Sequence, residues 1–405
     1  MEISERTRKL GAENSFTILK EVEELRRKGK DILNFCIGEP DFDTPEHIKE
    51  AAIEAISEGK TGYTPSSGIQ ELREAVAGYL SETRNIEVKP ESVVVANGSK
   101  PFIGYAILSV TDYGKGHEVL YPNPGYPIYE SQACAHGAVP VPLPLLERKG
   151  YSFDIGYLES KINDKTRLLI LNSPHNPTGG VLEKETLEQI ADILKRHDDI
   201  WVLSDEVYSR ILYDDEFVSI ASIPGMAERT IILDAVSKTY AMTGWRIGFA
   251  SNPKLAEHIS RWVNNTDSCA GHPNQYAALA ALTGSQDEAR EMTMSFKRRR
   301  DLIVEGLNAV ERIRCLRPSG AFYAWANVTE ACRLVGARDS EDFRKRLLCD
   351  AGVAVLSDIH FGQRNEGEGE HIRFSYAASD QDIMEGLKRI ENYVEENRVV
   401  SHVVL

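Results

Sequence analysis

Short runs of Val, Ile and Leu alternate with amphipathic segments through the middle of this chain, and that alternation restricts the possible folds more than any other feature. The runs are SVVVANG (92–98), HEVLYP (117–122), RLLILNSP (167–174), IWVLSDE (200–206), TIILDAVSK (230–238) and RIGFAS (246–251). They carry little polar alternation, as strands buried on both faces do. Between two of them, LEKETLEQIADILKRH (182–197) sets Leu187, Ile190, Ala191 and Leu194 at helical spacing with charges between them, which predicts an amphipathic helix. Strand, helix and strand in alternation predict an α/β fold: a mainly parallel central sheet with helices on both faces. The length of 405 residues, 42% of them hydrophobic, exceeds what one small domain needs, so two domains are expected.

The pattern changes after about residue 285. A basic helical stretch, FKRRRDLIVEGLNAV (296–310), leads to GAFYAWANV (320–328), a helix near 340–351 and HIRFSYA (371–377). This predicts a smaller α+β domain. The expected division is a large domain over 46–285 and a small domain built from 1–45 and 286–405.

Composition narrows the function. Lys and Arg total 47 against 62 Asp and Glu, a formal charge of −15, which disfavours nucleic acid and anionic membrane as partners. The start, MEISERTRKL, reads as neither signal peptide nor anchor. No apolar run approaches the roughly 20 residues that span a bilayer. A cytoplasmic protein is expected. The six cysteines are scattered without a CxxC pair and are expected to be reduced and mostly buried. The ten histidines show no metal-ligand spacing, so no metal is expected.

Ligands of open parallel sheets collect at the carboxyl ends of the strands. Asn172, Asp205, Ser237 and Lys238 all stand at ends of the predicted strands. Each alone could be an ordinary turn residue; together, an amide, a carboxylate, a hydroxyl and an amine make a candidate site. The segments NFCIGEPDFDTP (34–45), GYTPSSGIQELREAV (62–76), NSPHNPTGG (172–180), SDEVYS (204–209), DAVSKTYAMTGWRIGF (234–249) and HIRFSYA (371–377) resemble the ordered motifs of class I aminotransferases, enzymes of pyridoxal-phosphate fold type I. The likeness covers roughly residues 15–395. It is greatest to the branch containing bacterial and archaeal aspartate aminotransferases.

That resemblance implies pyridoxal 5'-phosphate as cofactor, an electron sink for a carbanion at the substrate's α-carbon. It implies that Lys238 holds the cofactor as an imine and shuttles the α-proton. Asp205 would face the ring nitrogen, where a carboxylate favours the protonated form. Tyr208 and Asn176 would donate to the phenolate oxygen, and Tyr126 would stack on the pyridine ring. Asn176 also has a plain reading as a turn residue in Asn-Pro-Thr-Gly. His175 is expected to be structural. Asn97-Gly98-Ser99-Lys100, between a strand and a helix, matches a phosphate-cradling turn. Pro101 there suits a first helical turn but has no amide to donate, which leaves Ser99 and Lys100. Ser237 and Arg246 match the other phosphate ligands, the arginine offering a bidentate fork. Arg373 would anchor the α-carboxylate, with Gly38 letting the backbone approach it. Tyr63 would reach the phosphate of a neighbouring subunit, so a homodimer with shared sites is implied.

The expected reaction is amino transfer between an L-amino acid and a 2-oxo acid, with aspartate or glutamate as the default donor. The same electron sink would also serve a β-lyase, an oxidase or a decarboxylase. A non-catalytic cofactor-binding regulator would be expected to append a DNA-binding domain, for which no space precedes the family match. A nicotinamide dehydrogenase would need a glycine fingerprint that is not found. The side-chain pocket is sought near Ser15 to Ile18, Asn264 to Asp267 and His360.

Overall fold

A computed structural model of the chain describes residues 2–11, 13–214 and 216–399. Strand β1 (Leu33–Asn34) precedes helices Glu46–Ser57 and Gln70–Arg84. Seven strands follow: β2 (Val93–Ala96), β3 (Glu118–Asn123), β4 (Val139–Pro144), β5 (Thr166–Asn172), β6 (Trp201–Asp205), β7 (Thr230–Ala235) and β8 (Gly248–Ser251). They form one sheet in the order β2-β8-β7-β6-β5-β3-β4. Neighbours from β4 to β7 are parallel, and β8 alone runs against both β2 and β7.

Alternate residues of the central strands serve opposite layers. Leu168, Ile170, Leu203, Ile231 and Leu233 pack with Phe102 and Ile107 of helix Lys100–Val110 and Ile259 and Val263 of helix Ala256–Thr266. On the other face, Leu169, Leu171 and Val202 meet Leu187, Ile190 and Leu194 of helix Lys184–Leu194. These strands have no solvent face, which is why their sequences lack polar alternation. Strand β4 escaped that pattern because it reads VPVPLP. Its three prolines stand at alternate positions, all on the unpaired side of an edge strand, while Val139 on the paired side donates to His117.

A second, antiparallel sheet contains β9 (Arg314–Cys315), β10 (Tyr323–Asn327), β12 (Leu356–Ser357) and β13 (His371–Ser375) in the order β12-β13-β10-β9. Its Phe322, Ile372 and Phe374 share a core with Phe296 and Leu307 of helix Asp287–Ala309 and Ile383 and Ile390 of helix Asp380–Glu396. Strand β11 (Val353–Ala354) pairs in parallel with β1, Leu33 opposite Val353 and Asn34 opposite Ala354. Ile18 and Val22 of helix Asn14–Arg27 join a cluster with Leu348, Ala354 and Leu356. The expected helix near 340–351 is α-helical over Ser340–Arg346 and widens to a π turn over Leu347–Ala351. Among the described residues no cysteine forms a disulfide; Cys36, Cys315 and Cys332 are buried, Cys134 and Cys269 half-buried, and Cys349 exposed.

Candidate active site

The carboxyl ends of β5, β6 and β7 open onto a cavity of about 560 Å³. Gly38, Ser99, Lys100, Tyr126, Asn176, Asp205, Tyr208, Ser237, Lys238, Arg246 and Arg373 all line it. Tyr63 does not; it is 90% exposed on the same chain.

Strand β7 passes directly into the short helix Val236–Thr239, which presents Ser237 and Lys238 at the cavity. Lys238 Nζ donates to the carbonyl of Gly38 at 2.5 Å. Burial pushes its ammonium down to about 8, with Glu13 and Glu39 opposing and Arg373 and Arg246 assisting. The amine is thus available in its neutral, nucleophilic form near physiological pH.

Asp205 ends β6. Its Oδ2 accepts from the Tyr129 hydroxyl at 2.6 Å, and its Oδ1 is buried with no hydrogen-bond partner among the described residues. Burial pushes the carboxyl up to about 6, against the pull of the Tyr129 hydroxyl and the Val207 amide; Asp234 and Glu206 push the same way as burial. Those two acids share the fully buried Arg84, at 2.6 Å from Asp234 and 2.9 Å from Glu206. Asn172, at the end of β5, donates to the Asp205 carbonyl at 3.0 Å and accepts the amide of Asn176 at 2.9 Å. The turn is thereby tied to both strand ends.

Arg373 lies on β13, buried, with Nη1 donating to Asn176 Oδ1 at 2.9 Å and Nη2 to the carbonyl of Cys36. Its guanidinium lies over the rings of Tyr323 (4.4 Å) and Phe361 (4.8 Å). Gly38 has no room for a side chain, because a Cβ there would overlap the Tyr323 hydroxyl.

At the other end of the cavity, Gly98 (φ +88°) and Gly248 bring the turn after β2 against β8. A Cβ on Gly98 would overlap the Arg246 guanidinium, and one on Gly248 the Ser99 amide. Arg246 is held in place by its bonds to the carbonyls of Thr243 (2.8 Å) and Asn97 (3.3 Å). Ser99 precedes helix Lys100–Val110, so the hydroxyls of Ser99 and Ser237, the Arg246 guanidinium and the start of a helix line one cavity, a set suited to a phosphate.

Residues 30–390 match the family model for aminotransferases of class I and II. The chain belongs to that family. This aminotransferase is 39% identical over 391 residues to a probable aspartate/prephenate aminotransferase of Aquifex aeolicus, covering 94% of this chain and 96% of the relative. The solved aspartate aminotransferase of Rhizobium meliloti matches it with a TM-score of 0.92 at 34% identity, covering 98% of this chain and 100% of the other. The alanine aminotransferase of Pyrococcus furiosus matches with a TM-score of 0.90 at 30% identity over the same shares. The protein is a pyridoxal-phosphate-dependent aminotransferase of fold type I.

The residues present fit that cofactor. The unpartnered Asp205 Oδ1 supplies a buried acceptor for a pyridinium N–H. The glycine-lined turn supplies the cradle. Tyr129, Tyr323 and Glu13 are among the cavity residues that the sequence did not single out. Tyr129 stands three residues after Tyr126, one helical turn on, and that spacing could have flagged it. Tyr323 lies within the GAFYAWANV segment, where its neighbours are core residues and nothing sets it apart. Glu13, which pairs with Lys100 Nζ at 2.6 Å and accepts from Tyr126 at 3.1 Å, sits far away in sequence with no local signal. Of the residues expected at a side-chain pocket, Ser15 lines the cavity, and His360 lines a small adjoining pocket with Ser15, Tyr126 and Arg373. Asn264 lines a separate open cleft with Ser66 and Arg73.

Proposed function

We propose that this aminotransferase exchanges amino groups between L-aspartate or L-glutamate and a 2-oxo acid. The observation that carries the reading is the buried, unpartnered Asp205 oxygen in one cavity with the Lys238 amine and the Arg373 guanidinium. Pyridoxal phosphate, when bound, supplies the sink for negative charge at the substrate's α-carbon. Lys238 would hold the cofactor, and its amine, once free, would take and return the proton at the substrate's Cα. Asp205 keeps the ring nitrogen protonated. Tyr208 and the Asn176 amide donate to the phenolate oxygen; Asn176 Oδ1 is already occupied by Arg373, which leaves its NH₂ for this role. Tyr126 would stack against the ring. Ser99, Ser237, Arg246 and the Ser99 and Lys100 amides hold the phosphate. Arg373 fixes the α-carboxylate with its fork, aligning Cα beside Lys238.

An acidic side chain requires one more cation. With Lys238, Arg246 and Arg373 engaged, the Lys100 ammonium is the remaining cation lining the cavity among the described residues, and its partner Glu13 is itself a carboxylate. An aspartate side chain would exchange with Glu13 there. The relatives named for aspartate support the same donor.

The reading also divides the chain into the 46–285 and 1–45/286–405 domains, supported by the β1–β11 pairing. It makes the enzyme a cytoplasmic homodimer in which the exposed Tyr63 serves the partner's phosphate site. No helix among the described residues is long and apolar enough to cross a membrane.

A panel of amino donors against 2-oxoglutarate, pyruvate and oxaloacetate tests the substrate. Aspartate or glutamate should give the highest kcat/KM, and Lys100→Met should raise KM for them while sparing alanine. A tenfold preference for alanine or an aromatic donor would refute the assignment. Donor-dependent ammonia release, without bleaching of the cofactor's visible band, would favour a lyase.

A further inference from the structure

Tyr208 and Tyr323 place their hydroxyl oxygens 2.6 Å apart, both residues buried and both lining the cavity. They come from different sheets. Tyr208 follows β6 beside Asp205, whereas Tyr323 opens β10. The rings meet edge to face, with centroids 5.6 Å apart. Burial raises both phenols, so both keep their protons near neutral pH.

Either oxygen of this pair could donate. Each tyrosine has one proton to give and lone pairs to receive. If Tyr208 donates to the cofactor's phenolate, its only proton is committed, and the 2.6 Å contact then holds only with Tyr323 as donor. A hydroxyl that accepts a hydrogen bond becomes a better donor itself. We propose that Tyr323 is a positioning residue that donates to Tyr208 and so orients and strengthens the Tyr208 hydrogen bond to the cofactor.

The surroundings fit a role for the hydroxyl itself. Its ring already has a separate task beneath the Arg373 guanidinium, 4.4 Å from the centroid, which phenylalanine would perform as well. The hydroxyl requires that residue 38 be glycine, since a Cβ at Gly38 would overlap it. Gly38 in turn receives the Lys238 amine on its carbonyl. A bare ring would press on that Cβ far less, its nearest carbon standing 3.1 Å away.

The inference rests on the proposed role of Tyr208, and the test separates the two. Cofactor-loaded wild type, Tyr208→Phe, Tyr323→Phe and the double variant are titrated from pH 5 to 10, following visible absorbance without substrate. A donor to the phenolate stabilises its anion and lowers the proton affinity of the nitrogen joined to Lys238, so losing that donor moves the midpoint up. Tyr208→Phe should move it most. Tyr323→Phe should move it less, by roughly two- to tenfold in proton affinity, the scale of one neutral hydrogen bond. The double variant should titrate with Tyr208→Phe, because Tyr323 acts only through Tyr208. Amino-acid affinity should be unchanged in Tyr323→Phe, since the ring under Arg373 remains. A wild-type midpoint in Tyr323→Phe beside a shifted one in Tyr208→Phe would overturn the proposal, as would additive shifts in the double variant. An unshifted Tyr208→Phe would remove the role of Tyr208 and the relay with it. The visible band in every variant verifies that the site is folded and loaded.

Discussion

Because burial raises the Asp205 carboxyl from 3.8 to about 6, the cofactor-free folded protein binds more protons than the unfolded chain between about pH 4 and 6. Stability therefore falls as pH rises through that window, and at pH 7 the ionised group costs roughly 3 kcal/mol. Asp205→Asn should stabilise the cofactor-free protein at pH 7 by a few kcal/mol, with the gain vanishing toward pH 4, as urea unfolding would measure. The same variant should slow proton abstraction by orders of magnitude. Equal unfolding midpoints at pH 7 would mean that Asp205 is not isolated from water. Lys238 gives the opposite pH signature. Its amine is pushed down to about 8, so capture of added cofactor, followed by absorbance, should accelerate with pH and level off just above 8 rather than near 10.5. Lys238→Ala should abolish both capture and turnover. Arg373→Leu should leave the band intact while weakening amino-acid binding; loss of the cofactor would assign that arginine elsewhere.

At the scale of elements, two glycines of the cradle should respond differently to alanine. Gly98→Ala meets the far end of the Arg246 side chain, which can swing away, so cofactor affinity should fall at least tenfold with a modest loss of stability from the positive φ. Gly248→Ala meets backbone atoms of Gly98 and Ser99, which cannot move without parting β8 from β2. It should cost several kcal/mol and lower Tm with or without cofactor. Much of this architecture was legible in the chain itself. Central strands announced themselves because both faces are buried, and the residues that line the cavity because most belong to short contiguous motifs, several of them at strand ends. The misses have physical causes. Apolar runs carry no direction, so the reversal of β8 was invisible. Prolines disguised β4, which only an edge position permits. Tyr323 and Glu13 acquire their roles from partners in distant segments, and neither one's own neighbourhood records that contact.

For the whole molecule, the proposed shared-site dimer makes a quantitative prediction. Lys238→Ala and Tyr63→Glu chains, each inactive alone, should recover up to about a quarter of wild-type activity when refolded together, since random pairing makes half the dimers mixed and each has one intact site. No recovery despite confirmed mixed dimers would place Tyr63 outside the partner's site. The pairing of β1 with β11 bears on how the chain is made. Val353 leaves the ribosome 320 residues after Leu33 (353 − 33), roughly 15–60 s later at about 5–20 residues per second. By then the segment carrying Ser99, Ser237, Lys238 and Arg246 has long emerged, whereas Gly38 waits for its strand's partner and Arg373 is still to be translated. The residues proposed for the phosphate thus all leave the ribosome before Arg373, the residue proposed for the substrate carboxylate.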